Sequence, residues 1–369
     1  MYASSYSNHS LKSANDKPEP FVVTKLGSVR GTPPVSIISK HGDSFLAVYD
    51  DALFNKKALI YRLNNLNQPY RQLKGAVSSL DHMHFSSSGR LLAAANYFSQ
   101  FQFSGFIYDI EKDHLKPVRA DRYYGKASIG GGSQMFCLNH DESLMAIASS
   151  IYNNSRLKIF NLASPKEPTV VFTLNPPGKL FETKSLNWSP DGTIIAHHGH
   201  YMNKLIPAVK LRGIFIWKVE SYSPSLSFKH IGTLTYESHN RDDNMVDLVF
   251  SPDCRSLVLG ADKNSSDKIK LFDLVSQQLV FESAPIGATT TSLLYTPNGR
   301  YLISGEKDGC IRIWRVEPSF LTLYKTIALS GEIFQLFISA QGNNLLIAHQ
   351  DGKKAVGVST VSLPAEMMN

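Results

Sequence analysis

The chain has 369 residues, of which 43% are hydrophobic and 19% are charged. Lys and Arg number 38 against 31 Asp and Glu, and the resulting net charge of +7 permits binding to nucleic acid or acidic membranes without requiring it. No apolar run reaches the roughly eighteen residues of a transmembrane helix, so a membrane span is excluded. In chain order, residues 1–18 have no apolar stretch, so we expect a disordered tail and no secretory signal.

After this tail comes an apolar run, PFVVTKL at residues 20–26, and then a unit that recurs seven times. Each unit begins with an apolar strand, a tight turn and a second apolar strand, as in LNWSPDGTIIA at residues 186–196. By subtraction, the turn residues are 47, 53, 50, 62, 45 and 43 positions apart; they are Gly42, Gly89, Glu142, Gly192, Cys254, Gly299 and Gly342. A period in the forties with several short strands per unit predicts the blades of a propeller.

A third strand follows each turn, and these strands begin at Ala58, Gly105, Arg156, Gly213, Lys268, Cys310 and Ala355. A fourth apolar run follows in six units, whereas the seventh unit has no room for one. We therefore predict an all-β, seven-bladed β-propeller over residues 19–363 in which residues 19–28 supply the missing strand. Residues 364–369 are predicted to be a C-terminal tail.

The segment SGEKDGCIRIWRV, residues 304–316, resembles a WD40 repeat, whose units end in an apolar, basic, apolar, Trp strand. The Gly-His pair typical of that family is absent, and Trp-Asp is replaced by pairs such as Trp314-Arg315. The resemblance implies that Asp308, and by position Asp267 and Asp351, occupy the place of the family's turn Asp without its His partner. It also implies a divergent WD40-like propeller, a fold that commonly serves as a scaffold.

The cysteines Cys137, Cys254 and Cys310 come from three different units. Their odd number and long spacing argue against a disulfide framework or a zinc site. We therefore expect three small, buried or half-buried side chains in a reducing compartment, the cytoplasm.

Two motifs suggest chemistry. The Gly-rich stretch at residues 125–134 lacks the Lys-Ser/Thr pair of a phosphate loop and leads into a strand, so we interpret it as a connection between blades. His197, His198 and His200 offer imidazoles for zinc or copper, but strand alternation sends His197 and His198 to opposite faces. We interpret this cluster as an exposed polar loop entrance, and we predict no cofactor, no metal and no catalysis.

Loop length points to a binding surface, because connections between second and third strands and between blades emerge on the same face of a propeller. The longest connections belong to units two to four, and they combine aromatic with basic residues as protein interfaces do. There are two alternatives: some of these rings pack against the blade beneath, and Phe101 and Phe103 belong to an extended hairpin that pairs with itself. The predicted partner-binding residues are Tyr97, Phe98, Phe101, Phe103, Arg119, Arg122, Tyr123, Tyr124, Tyr152, Tyr201 and Met202.

The sequence thus predicts a non-enzymatic scaffold or adaptor, monomeric outside its complex, that binds a protein or peptide of unknown identity. Two alternatives remain open: a propeller enzyme of the lactonase or hydrolase type, and a scaffold associated with RNA or ribosomes. Nucleic-acid binding is permitted by the charge but is not favoured.

Overall fold

The computed structural model describes residues 21–40, 43–50, 57–73, 80, 82–95, 102–122, 134–149, 156–163, 168–174, 179–202, 210–222, 225–236, 246–263, 267–339 and 343–368. These residues form seven four-stranded antiparallel sheets and one short 3₁₀ helix, Ala365–Met367. The predicted seven-bladed β-propeller is therefore confirmed. Within the described part of the chain, no helix is long and apolar enough to cross a membrane.

The first half of the chain contributes β1 (Val23–Arg30), β2 (Thr32–Lys40), β3 (Asp43–Asp50), β4 (Lys57–Arg62), β5 (Arg71–Leu73), β6 (His82–Phe85), β7 (Leu91–Ala95), β8 (Gln102–Asp109), β9 (His114–Arg122), β10 (Gln134–Leu138), β11 (Leu144–Ser149), β12 (Arg156–Asn161) and β13 (Thr169–Leu174). The second half contributes β14 (Lys179–Trp188), β15 (Ile194–Met202), β16 (Lys210–Ser221), β17 (Ser227–Thr235), β18 (Leu248–Phe250), β19 (Ser256–Leu259), β20 (Lys270–Asp273), β21 (Gln278–Glu282), β22 (Thr290–Tyr295), β23 (Tyr301–Glu306), β24 (Cys310–Val316), β25 (Leu321–Ala328), β26 (Ile333–Ile338), β27 (Asn344–Gln350) and β28 (Ala355–Ser362).

Blades 1 to 6 each take four consecutive strands, beginning with β2, β6, β10, β14, β18 and β22. Blade 7 instead has the order β1-β28-β27-β26, so the N-terminal strand is its outermost strand. The pairing of β1 with β28 runs from Val23 opposite Val361 to Arg30 opposite Ala355. An ion pair of 2.7 Å between Lys25 Nζ and Asp351 Oδ2 reinforces it. The predicted closure of the ring by the N-terminal strand is confirmed.

The apolar core is divided among the seven junctions between blades. The first strands contact one another in ring order, from β2 through β6, β10, β14, β18, β22 and β26 back to β2. Each junction encloses its own apolar cluster; the cluster between blades 3 and 4, for example, includes Leu157, Ile159, Trp188 and Phe215. Since a fully buried Leu or Ile contributes about 1.5–3 kcal/mol, each junction holds its two blades together strongly.

The turns that marked the repeat share one backbone conformation. All five of the described turn residues have positive φ angles between 58° and 73°; they are Gly89, Glu142, Gly192, Cys254 and Gly299. This left-handed conformation is accessible to glycine without strain and costs other residues roughly 1–2 kcal/mol. The turn is stabilised by a polar side chain at its start, as when Ser189 Oγ accepts a hydrogen bond of 2.9 Å from the N–H of Ile194.

The first strand of each blade pairs with its second strand on one side only, so its other edge faces the centre of the ring. At five junctions a polar side chain of one first strand bonds the backbone of the neighbouring first strand. These hydrogen bonds join Ser36 to Phe85 (3.0 Å), Asn187 to Leu248 (2.8 Å), Asp247 to Leu293 (2.7 Å), Ser292 to Leu336 (3.1 Å) and Gln335 to Ile37 (2.7 Å). Backbone groups that would otherwise lack a partner are thereby satisfied.

The packed core continues beyond Leu363, which we had predicted to be the last residue of the propeller. Met367, in the 3₁₀ helix, is fully buried in the cluster between blades 6 and 7. The side-chain amide of Asn298 also donates a hydrogen bond of 3.1 Å to the backbone carbonyl of Glu366. Residues of the predicted C-terminal tail thus contact blade 6, including the turn between β22 and β23.

Removing residues 1–30 should expose the edge of β28 and break the pairing that closes the ring. We expect the truncated protein to aggregate and to melt at least about 5 °C lower, because an unpaired strand edge recruits other chains. Removing residues 1–15 leaves β1 intact and serves as the control, with an unchanged melting temperature. Identical melting of both truncated proteins and the full chain would contradict closure by β1.

Asp247 provides a prediction about pH. Burial raises the pKa of its carboxyl to about 6, although the backbone N–H groups of Leu293 and Leu248 donate to it and oppose the shift. The folded state therefore favours the protonated form, and the stability that Asp247 contributes below about pH 4 is lost as the pH rises through about 6.

In Asp247→Asn this dependence should disappear. Relative to wild type, the variant should gain on the order of 2 kcal/mol between about pH 4 and about pH 7, measured by urea unfolding. A difference in unfolding free energy that stays constant with pH would contradict the raised pKa.

Candidate functional site

Blade 4 is the tallest blade. Its β14 and β16 contain 10 and 12 residues, whereas the first strand of blade 5 contains 3. At the upper end, Met202 pairs with Lys179 on one side and with Lys210 on the other. Beyond the pair of Gly199 and Gly213, β15 and β16 form three more residue pairs. At about 3.3 Å per residue, these pairs extend the sheet by about 10 Å. A three-stranded extension therefore projects from one face of the ring.

Blade 2 has a similar extension made of two strands. The pairing of β8 with β9 continues to Gln102 opposite Arg122, past a register shift next to Ser104. Phe103, Arg119 and Arg122 therefore lie on one hairpin and within three residues of its end. Blades 2 and 4 project from the same face, the face that carries the connections between second and third strands.

Several predicted binding residues thus lie in strands, and the prediction that they lie in loops was wrong. The ladder continues because backbone pairing satisfies N–H and C=O groups that an open loop would leave to water. The residues placed in strands are Phe103, Arg119, Arg122, Tyr201 and Met202. The others lie outside the described residues; they are Tyr97, Phe98, Phe101, Tyr123, Tyr124 and Tyr152.

His197 and His198 lie in the middle of β15, with exposed fractions of 0% and 2%. The expectation of an exposed loop entrance was therefore wrong, because the strand runs through these residues to Met202. Their side chains have different partners, as alternation predicts: His197 Nε2 is 2.8 Å from Thr183 Oγ1, and His198 Nε2 is 2.6 Å from Tyr236 OH. These two imidazoles cannot face one metal ion.

His197 is also unsuited to acid-base chemistry near neutral pH. Desolvation by burial lowers its pKa to about 3, so the ring stays neutral in the folded protein. Within the described residues, no group of three or more His, Cys, Asp and Glu side chains is placed to hold a metal ion. Most of the Gly-rich stretch at residues 125–134 lies outside the described residues.

The base of the extension is joined to blade 5 through Tyr236. Its hydroxyl bonds His198, and Lys270 Nζ lies 4.9 Å from the centre of its ring. Lys270 is 1% exposed, and burial lowers the pKa of its ammonium group, while Glu282 at 3.8 Å opposes this shift. The buried cation of Lys270 thus links blade 5 to Tyr236 at the base of the projecting strands.

The position that His197 occupies recurs in two other blades, and it was not predicted from the sequence. Trp217 on β16 pairs with Ile195 on β15, and His197 lies two residues after Ile195. The same position holds Ser304 in blade 6, where Trp314 Nε1 donates a hydrogen bond of 3.0 Å to its hydroxyl. In blade 7 it holds His349, whose Nε2 lies 3.0 Å from Ser359 Oγ. Counting register from Trp217 and Trp314 would have found this position in blades 4 and 6, whereas β28 has Ser359 in the place of the Trp.

The turn Asp residues implied by the resemblance have separate roles. Asp308 accepts a hydrogen bond of 2.9 Å from the N–H of Cys310 and lies 3.6 Å from Arg312. Asp351 pairs with Lys25 of the closing strand. The buried acid of this region is instead Glu306, which is fully buried at 2.9 Å from Arg312 and whose pKa is raised by desolvation to about 8.

The three cysteines are free and half-buried, as predicted. Burial raises the pKa of the Cys137 thiol well above its usual range, so this thiol is a poor nucleophile at neutral pH. Cys254 and Cys310 also have raised pKa values, with burial as the main cause.

Comparison with known proteins supports the class of protein that the fold defines. Residues 283–315, which contain β22, β23 and most of β24 of the seven-bladed propeller, match the family model "WD domain, G-beta repeat". A chain of "Crystal Structure of Mitotic Checkpoint Complex" superposes with a TM-score of 0.60 at 16% identity, covering 95% of this chain and 98% of that one. At this identity the likeness establishes the fold. The comparison with curated proteins gives no match.

The cluster of His197, His198 and His200 leads to a prediction about metal content. Since His197 and His198 have separate protein partners, protein purified without a His tag should contain well under one equivalent of zinc or copper by elemental analysis. Replacing His198 and His200 with Ala should leave the metal content unchanged, as should the control His114→Ala at the exposed start of β9. One equivalent of metal, lost only in the His198 and His200 variant, would support a metal-dependent function instead.

Proposed function

We propose that the protein is a non-catalytic scaffold in which the face carrying the extensions of blades 2 and 4 binds a protein or peptide partner. The observation that carries this proposal is the projection of blade 4, whose three paired strands rise about 10 Å beyond the ring. Cross-strand pairing fixes the backbone of the extension, so binding a partner there would cost little backbone entropy.

The chemical character of this face agrees with the proposal. The hairpin of blade 2 carries Phe103, Arg119 and Arg122, and the end of β15 carries Tyr201 and Met202. Aromatic residues, Met and Arg are enriched in protein interfaces because they supply large contact area. The WD40 repeat at residues 283–315 and the likeness to a chain from a multiprotein complex support the same class of function.

We further propose that the protein resides in the cytoplasm, on the basis of its three free cysteines. We also propose that it is monomeric outside its complex. The alternatives make different predictions. A propeller enzyme would require a bound metal or convergent carboxylates, and an RNA-associated scaffold would bind RNA with a steep dependence on salt. The net charge of +7 is the only observation that favours the second alternative.

The proposal predicts the effect of replacing Tyr97, Phe98, Tyr123 and Tyr124 with Ser. Co-purification of partners, quantified by mass spectrometry against the unmodified protein, should fall at least about tenfold, because aromatic residues dominate interface energetics. The proposal requires these rings to face the partner and not the core, so the melting temperature should change by less than about 3 °C.

The control replaces Lys307 and Lys353, both exposed residues in blades 6 and 7, with Ser. It should leave the captured proteins unchanged. A loss of stability comparable to that of a core substitution would show that the aromatic residues pack inward, and unchanged capture would place the partner on another surface.

A further inference from the structure

The outer rim between blades 6 and 7 carries an exposed aromatic surface. Phe21 lies just before the closing strand, and the centre of its ring is 6.2 Å from the ring centre of Tyr324 on the outermost strand of blade 6. The ring centres of Tyr324 and Tyr301 are 5.6 Å apart. Tyr301 is buried, whereas Tyr324 is 40% exposed and Val22 is 51% exposed. The buried Tyr301 ring therefore packs against the Tyr324 ring, and the exposed part of Tyr324 remains accessible to a partner.

Two cations lie over these rings. The guanidinium of Arg315 is 5.7 Å from the centre of the Tyr324 ring, and Lys325 Nζ is 5.8 Å from the centre of the Phe21 ring. Both residues are exposed, and no carboxylate in the described ranges lies within ion-pair distance of either. Two positive charges without an ion-pair partner among the described residues, beside an apolar surface, give this rim complementarity to a negatively charged, partly apolar partner.

The strand that carries Tyr324 also has a free edge. β25 pairs with β24 on one side and with no described strand on the other. Its residues 322–326 are all exposed, and a register shift opposite Ile313 and Trp314 places Tyr324 in a bulge. A free edge of eight residues can accept an extended peptide through backbone hydrogen bonds.

We infer that this rim, which we call the blade 6–7 rim and define as Phe21, Arg315, Tyr324 and Lys325, binds an extended acidic segment of a partner protein. The segment adds along the edge of β25, its carboxylates pair with Arg315 and Lys325, and an apolar side chain contacts Phe21 and Tyr324. This site is separate from the projecting face of blades 2 and 4, so each can be tested without the other.

A corresponding rim in blade 4 indicates that the arrangement is specific. Lys218 follows Trp217 as Arg315 follows Trp314, and it pairs in register with Lys229 on the outermost strand. Blade 4 thus has two exposed cations at a similar place, but no ring lies over either among the described contacts. These two lysines provide a control with matched charge.

The experiment selects a phage-displayed library of random peptides, each of about twelve residues, on the immobilised full chain. Enriched peptides are synthesised with a fluorescent label, and their affinity is measured by anisotropy. We expect acidic peptides with an aromatic or large aliphatic residue to be enriched. The variant Arg315→Glu, Lys325→Glu should weaken their binding at least about tenfold, whereas Lys218→Glu, Lys229→Glu should leave it within about twofold.

A second variant, Tyr324→Ser, should also weaken binding, and its control is Val170→Ser with Val171→Ser on the outermost strand of blade 3, where exposure is 43% and 39%. Circular dichroism confirms that each variant is folded before its affinity is interpreted. The inference is overturned if no peptide is enriched, or if the enriched peptides bind the charge-reversed rim equally well.

Two other occupants are also tested. Sedimentation velocity that shows a wild-type dimer, lost in the charge-reversed variant, would assign the rim to a second copy of this chain. Peptide binding that appears only after removal of residues 1–18 would assign it to the chain's own N-terminal segment. Either result would overturn the inference of a partner peptide, and neither would affect the capture of partners by blades 2 and 4.

Discussion

The free inner edge of each first strand is the constraint on which the ring depends. A strand edge without a partner leaves backbone N–H and C=O groups exposed, yet seven such edges meet at the centre of this fold. Side chains of neighbouring blades bond these edges, as when Gln335 accepts a hydrogen bond from Ile37 across the junction of blades 7 and 1. At five of the seven junctions, one blade therefore completes the hydrogen bonding of its neighbour, and those blades would lose these bonds outside the ring.

The architecture could be predicted from the sequence because its signals are local. Turn residues such as Gly192 and Gly299 recur at a regular period, since a tight turn requires a left-handed residue wherever a blade begins. The closing strand could be predicted by elimination, because one apolar run had no unit and one unit had no fourth strand. Glu142 and Cys254 occupy the same turn position and show that the pattern tolerates exceptions.

The surfaces could be predicted only in outline. Polar and aromatic composition marked residues such as Tyr201 and Arg122 as connections, but composition does not reveal where cross-strand pairing stops. His197 and His198 looked like a polar loop because their partners are distant in sequence: Thr183 lies on β14 and Tyr236 directly after β17. The blade 6–7 rim joins Phe21 to Tyr324, a juxtaposition that exists only once the ring has closed.

The pairing of β1 with β28 has a consequence for the order of folding during synthesis. Val23 and Val361 are paired neighbours although they lie at opposite ends of the chain, and closing a loop of that length costs about 5 kcal/mol of chain entropy. Of the strands in the ring, β1 is synthesised first and its partner β28 last, so blade 7 stays incomplete until β28 has been made. Contacts of such long range slow folding, and the unpaired strand edges of an incomplete ring favour aggregation until β1 and β28 meet.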